Sequence, residues 1–282
     1  MNCISLSEYI ESKSYRGVLT GLTEAFLIDD ETKKRLINED KKSVELIRPF
    51  LLGRNIKSYS TTEVMNWLIL IPKGFTIKRN LPESNPFHIT EPPPRYGDMP
   101  YSMAWDWFNK NYPAIANHLL PFKNKAEKRT DKGDFWWELR ACDYYREFGK
   151  PKIMYQVLQV KPCFIYDDKG LFCNNSIWFI PSNDKALLGI LNSKMGWWLI
   201  SKYCTAIQNG FQLIWKYFGQ IPIPDSTGRP TVRIISLVDD ILITKKSDPA
   251  ADTSALKAEI DGLVYELYGL NEEEIGIVEG KV

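Results

Sequence analysis

Helix-spaced and strand-spaced apolar residues share the first half of this chain, and strand spacing takes over just after Gly149. Residues 6–10 open a short strand or helix. Arg16-Gly17-Val18-Leu19-Thr20-Gly21 reads as a turn, and Phe26-Leu27-Ile28 as a strand entering a turn at Asp29-Asp30. From Glu31 the spacing becomes helical through Leu36, Ile37, Val44, Ile47 and Leu51, ending at Gly53 and interrupted at Pro49. Arg54-Asn55-Ile56-Lys57 follows as an exposed basic turn, and 67–72 as a buried strand closed by proline. Six prolines make 80–100 an extended loop, after which 103–108 and 115–120 predict helices. Beyond Gly149, Ile153, Tyr155 and Val157 alternate with their neighbours. With 164–166, Leu171-Phe172 and 177–180 they predict an antiparallel set. Asp184 caps a helix that runs towards Trp198, and Ile221-Pro222-Ile223-Pro224 closes the body.

The remainder is different in kind. Ile234, Leu237, Val238 and Ile241 keep i, i+3, i+4, i+7 spacing, as do Ile260, Leu263, Val264 and Leu267. A polar loop, 245–254, joins the two stripes, which predicts a helical hairpin. The expected fold is therefore α+β: a mixed body over 1–233 with antiparallel strands, then a C-terminal helical hairpin over 234–282. The loop near 80–100 is where the body would divide into two lobes.

Charge sharpens this division. The chain's net charge is +1, but 234–282 holds 11 acidic and 4 basic residues, a net of −7, which leaves +8 on the body. A basic body with an acidic tail suits a polyanionic partner met by the body alone. At 44% hydrophobic and 25% charged residues the composition is that of a globular protein. The apolar runs are too short to span a bilayer and no signal peptide is evident, so a cytoplasmic location and no membrane contact are expected. Five cysteines without a C-x-x-C pair argue against disulfides or a zinc knuckle, and two histidines leave little for a metal site or triad.

The densest interleaving of cations and aromatics lies in 123–156, where nine lysines and arginines alternate with seven aromatic residues. Cations neutralise phosphate and aromatic faces meet bases, although the same pattern describes a core with a solvated charged face. Other motifs fall short. Pro92-Pro93-Pro94-Arg95-Tyr96 lacks the amide that opens the Asn/Asp-Pro-Pro-aromatic loop of amino-methyltransferases, and no glycine-rich loop precedes it. Glu39-Asp40-Lys41 and Glu11-Ser12-Lys13 fit half of a nuclease signature, with Asp29 or Asp30 as a metal ligand. An autonomous metal-dependent nuclease is thus one alternative. A protein-interaction module acting through the acidic hairpin is another.

Several blocks, in order, resemble the TaqI-like C-terminal specificity domain of type IIG restriction-modification enzymes and related adenine methyltransferases. They are 16–21 with Ala25-Phe26, 48–59 (RPFLLGRNIKSY), 136–140 with 151–153, 188–194 (LGILNSK), 220–224 and 258–270. The resemblance implies a target-recognition module, inert alone, that holds double-stranded DNA beside an adenine-specific methyltransferase domain or subunit, with or without an endonuclease domain. S-adenosylmethionine is expected in that partner and no cofactor or metal in this chain. The chain is then either a separate specificity polypeptide or a piece of a longer enzyme. On this reading Arg54 and Lys57 clamp phosphates, and Arg129, Lys132, Arg140 and Lys152 form the DNA face. Gln156, Asn174, Asn175 and Gln212 are amides suited to adenine edges or, more plainly, to capping turns. Trp136 and Trp137 are expected in the core rather than stacked on DNA, and Trp197 and Trp198 more so.

Overall fold

A computed structural model describes residues 2–61, 66–80, 100–225 and 228–281. The proline-rich stretch with Pro92-Pro93-Pro94-Arg95-Tyr96 lies outside the described residues, as does most of the 80–100 break. The fold is α+β and divides into two compact units. One comprises Met1–Gly17, Leu51–Val64 and Arg146–Val282, the other Val18–Phe50 and Met65–Tyr145.

The larger unit is built on an antiparallel sheet ordered 164–167, 152–156, 177–181, 15–16. In its central strand, Lys152–Gln156, residues 152 to 155 are all buried, so the alternation separates two cores rather than a wet and a dry face. Ile153 and Tyr155 pack with Phe164, Ile180 and the helix Lys185–Asn192. On the other face, Phe148 stacks on Phe172 at 4.4 Å and tilts against Phe179 at 4.6 Å. Asn192 joins helix to sheet. Its Oδ1 accepts from the Phe164 amide at 3.1 Å and the Ser58 hydroxyl at 3.0 Å, while its Nδ2 donates to the Phe164 carbonyl at 3.0 Å. That places the LGILNSK block in the architecture of the unit.

The acidic tail packs on the same helix. Ile234, Leu237, Val238 and Ile241 of the helix Arg229–Ser247 have no exposed surface, and Ile260, Val264 and Leu267 of Ser254–Tyr268 are buried beside them. Gly189 allows the close crossing, since a Cβ there would stand 2.6 Å from Ile234 Cγ2. A third helix, Glu272–Val278, opens with an Asn271–Glu274 capping box and extends the expected hairpin. Pro222–Pro224 forms a short strand with Cys3–Ser5, the pairing that two prolines still permit at an edge.

In the smaller unit the helical reading of 31–53 needs correction. The helix ends at Glu39, and Ile47–Leu51 is a strand paired with Asn66–Ile69. Asn66–Ile69 pairs in turn with Leu27–Asp29. Pro49 suits this strand where it would break a helix. The core is aromatic: Trp137 lies 4.6 Å from Phe135 with parallel rings, 5.0 Å from Trp105 and 5.8 Å from Phe108. Trp136 and Trp137 are 2% and 0% exposed, so both belong to the core and not to a base-stacking surface.

Candidate nucleic-acid interface

Three of the residues expected to touch DNA, Arg129, Lys132 and Arg140, belong to the smaller unit; the other seven belong to the larger. Burial removes two from any surface. Lys152 is fully buried, ion-paired with Asp167 across the sheet and donating to the Phe148 carbonyl. Arg129 donates to the carbonyls of Thr20 at 2.6 Å, Trp136 at 2.7 Å and Glu138 at 3.0 Å, with its guanidinium 4.6 Å from the Phe26 ring. Burial lowers its pKa to about 10, against the opposing pull of Asp131, which leaves it charged at neutral pH. Both cations organise their own unit's interior, and their placement on a DNA face is corrected.

Lys132 and Arg140 are exposed, yet each has a local partner. Lys132 donates to the Glu127 carbonyl and Arg140 pairs with Asp131 at 3.2 Å. Exposed pairs of this kind contribute at most about 1 kcal/mol and release readily to a phosphate.

The remaining candidates come together in the larger unit. The turn 53–55 is held by Gln156, whose Nε2 donates to the Gly53 carbonyl, so this side chain positions a loop before it can read a base. Beside it runs the turn 174–176, where Asn174 Oδ1 accepts from the Ser176 hydroxyl at 2.8 Å and the Asn174 amide donates to Leu51 at 3.2 Å. Asn174 therefore caps a turn, the plainer of its two roles. Asn175 at that turn and Gln212 in the strand Gly210–Gln212 stay half-exposed. Arg54 and Lys57 are exposed, Lys57 standing at a two-residue turn whose second residue, Tyr59, has φ +63.

One element escaped the sequence reading. Thr205–Ile207 and Gly210–Gln212 form a hairpin that pairs through Phe211 and Gln212 with Leu158–Gln159. The loop is Gln208-Asn209, with Gly210 already paired to Ile207, so the Asn209-Gly210 dipeptide marks the hairpin's neighbourhood one residue out of register. The hairpin's base is tied to the Gly53 turn through a short chain of contacts. The Leu213 amide donates to Val157 at 2.8 Å and the Val157 amide to Ser176 at 3.0 Å. Gln159 holds both the amide and the carbonyl of Cys163, whose thiol donates to the Ile56 carbonyl at 3.3 Å. Burial pushes that thiol up to about 11, so it stays protonated.

The segments meeting here carry a one-sided charge. No aspartate or glutamate occurs in 51–61, 150–166, 169–183 or 185–224. Arg54, Lys57, Lys161, Lys202 and Lys216 are exposed on them, and among the described residues none has a carboxylate partner. A cavity of about 690 Å³ in the same unit is of another character. It is lined by Tyr166, Lys169 and Lys245 among others, with Lys185 already paired to Asp239. The nuclease alternative finds its carboxylates engaged elsewhere: Asp29 caps a helix at Thr32, Asp30 pairs with Lys34, and Glu39 pairs with Arg35. Among the described residues no three histidine, cysteine or acidic side chains are grouped to hold a metal, and no helix is long and apolar enough to cross a membrane.

The type II methyltransferase M.MjaIV of Methanocaldococcus jannaschii is 25% identical over 269 residues, 91% of this chain and 78% of that protein. The type IIL restriction-modification enzyme MmeI, solved in complex with DNA, shares the fold at a TM-score of 0.53 and 14% identity, over 94% of this chain and 34% of that one. The type IIG restriction endonuclease BpuSI aligns more loosely, at a TM-score of 0.42 and 14% identity, over 95% of this chain and 32% of that one. The chain thus spans about a third of the length of these two solved enzymes. The family model for the TaqI-like C-terminal specificity domain matches residues 48–223, more than half of the sequence, and the chain belongs to that family.

Proposed function

We propose that this chain is the DNA target-recognition part of a type IIG-like restriction-modification system or adenine-specific methyltransferase, without catalysis of its own. The observation that carries the proposal is that four segments of the larger unit bear no carboxylate of their own, and that their exposed cations Arg54, Lys57, Lys161, Lys202 and Lys216 have no carboxylate partner among the described residues. Phosphate contacts set position and register, while amides on a rigid sheet can read base edges. The methyl donor S-adenosylmethionine and the adenine-flipping chemistry belong on this reading to a methyltransferase domain or subunit beside it, with or without an endonuclease. Lys132 and Arg140 of the smaller unit supply further phosphate contacts.

Duplex titration of the purified chain tests this. The five cations of the larger unit alone, neutralising about five phosphates, give a log–log salt slope of about −4.5, which Lys132 and Arg140 make steeper. Affinity then falls by at least about 500-fold between 50 and 200 mM salt. Salt-independent binding, or none at 50 mM, rejects the reading. Methyl transfer from labelled S-adenosylmethionine to DNA by the chain without a partner rejects the non-catalytic part.

A further inference from the structure

The 205–212 hairpin contributes little to the interior. Five consecutive residues, Thr205, Ala206, Ile207, Gln208 and Asn209, are exposed, so both faces of its first strand lie in solvent. Its base, by contrast, is firmly fixed. A Cβ on Gly210 would stand 1.9 Å from the Gln159 carbonyl oxygen, Phe211 meets Trp197 edge-on at 5.2 Å, and Leu213 is fully buried. A rigid root under an exposed tip is a structure held out towards something else.

The surface composition identifies what that is. Ile207, Leu158 and Val160 are 37%, 54% and 66% exposed on the same small sheet or the loop that follows it, beside the amides Gln208, Asn209 and Gln212. Lys202 and Lys216 stand on the helices just before and after the hairpin, and no acidic residue occurs from 185 to 224. Apolar and amide groups framed by unopposed cations complement a polyanion that carries methyl groups and amide-like edges. A two-stranded ribbon fits the major groove of B-DNA. There Gln or Asn pairs bidentately with adenine N6 and N7, and aliphatic side chains meet the thymine methyl.

We propose that the 205–212 hairpin enters the major groove and specifies A·T pairs, with Gln208 and Asn209 on adenine and Ile207 on a thymine methyl. Lys202 and Lys216 hold the flanking phosphates. This rests on the DNA-recognition reading above and names its specificity-determining residues.

Selection from a randomised duplex pool tests it, with the full chain and three variants: Gln208→Ala/Asn209→Ala, Gln208→Glu and Ile207→Ser. The wild-type chain enriches a motif containing A·T pairs. The double variant loses its preference at one or two of them, by about 5- to 150-fold for each bidentate contact removed, while its affinity for the unselected pool stays within about twofold. Gln208→Glu moves the preference at one position towards cytosine, whose N4 donates to a carboxylate. Enrichment of the same motif at the same strength by all three variants overturns the proposal, as does a uniform loss of affinity without any change of motif. So does loss of methyltransferase co-purification with DNA selection intact, which would make the hairpin a protein contact. A wild-type chain that binds no duplex rejects the broader reading as well; unchanged, salt-sensitive binding by the variants rejects only the role of the hairpin.

Discussion

Lys152 shows how far a buried cation differs from a surface one. It lies directly opposite Asp167 in the sheet register, and both side chains are almost completely buried. Asp167 also accepts from the amides of Lys169 at 3.0 Å and Leu171 at 2.9 Å, so its carboxylate closes the turn as well as the ion pair. Lys152→Met keeps most of the volume and leaves Asp167 with those two amides but no counter-ion. Removing one member of a buried pair costs about 3–5 kcal/mol, a large part of the roughly 5–15 kcal/mol that stabilises a typical domain. Urea unfolding should show the loss as a lower midpoint at unchanged slope. It should persist at high salt, because a pair without solvent contact is weakly screened. The double variant Lys152→Met/Asp167→Asn should recover about 0.5–3 kcal/mol as coupling energy. DNA binding by the folded fraction should keep its full salt dependence. An unchanged midpoint, with a salt slope shallower by about 0.9, would restore Lys152 to the DNA face and refute the argument.

Arg54→Ala and Lys57→Ala should each flatten the salt slope by about one unit and leave the urea midpoint in place, which parallel titrations and melts will check. Val264→Asp puts a charge into the fully buried seam of the tail. The lost burial alone is about 1.5–3 kcal/mol, so the variant should melt far earlier, and a wild-type melting curve would count against the packing described. His118 is half-buried, contacts the Ala25 carbonyl at 3.1 Å and packs on Phe122. Burial, opposed by that hydrogen bond and assisted by Arg35, lowers its pKa. The unfolded chain therefore takes up the proton first, at about pH 6.5, so stability falls as pH drops through that value. Urea midpoints at pH 7.5 and 5.5 should differ less in His118→Phe than in the wild type; an identical difference would exclude His118 as the source.

What the sequence made legible followed the strength of each local pattern. Ile153 and Tyr155 recur at alternate positions, 164–166 and 177–180 are short apolar runs, and Ile234-Leu237-Val238-Ile241 repeat at one helical face; all form the elements predicted from them. Ile47, Phe50 and Leu51 fit helical and strand spacing alike, and only pairing with Asn66–Ile69 decides between them. The fate of a cation is harder to read. Nothing local distinguishes Lys152 from Lys150, yet one meets Asp167 in the interior while the other stays exposed beside a half-buried Glu147, because long-range strand register determines burial. Likewise Gln156 and Asn174 read as base-binding amides until the folded loops present Gly53 and Ser176 to them. The charge asymmetry was visible as totals, but that four carboxylate-free segments, 51–61, 150–166, 169–183 and 185–224, belong to one unit shows only in the fold.

Amide hydrogen exchange of the chain with and without a selected duplex reports where DNA sits without altering a residue. Exchange is expected to slow at 53–57 and 205–212 and to stay unchanged along Ser254–Tyr268 and Glu272–Val278, whose net negative charge repels phosphate. Protection confined to those tail helices, with the 53–57 turn and the hairpin unaffected, would contradict this placement.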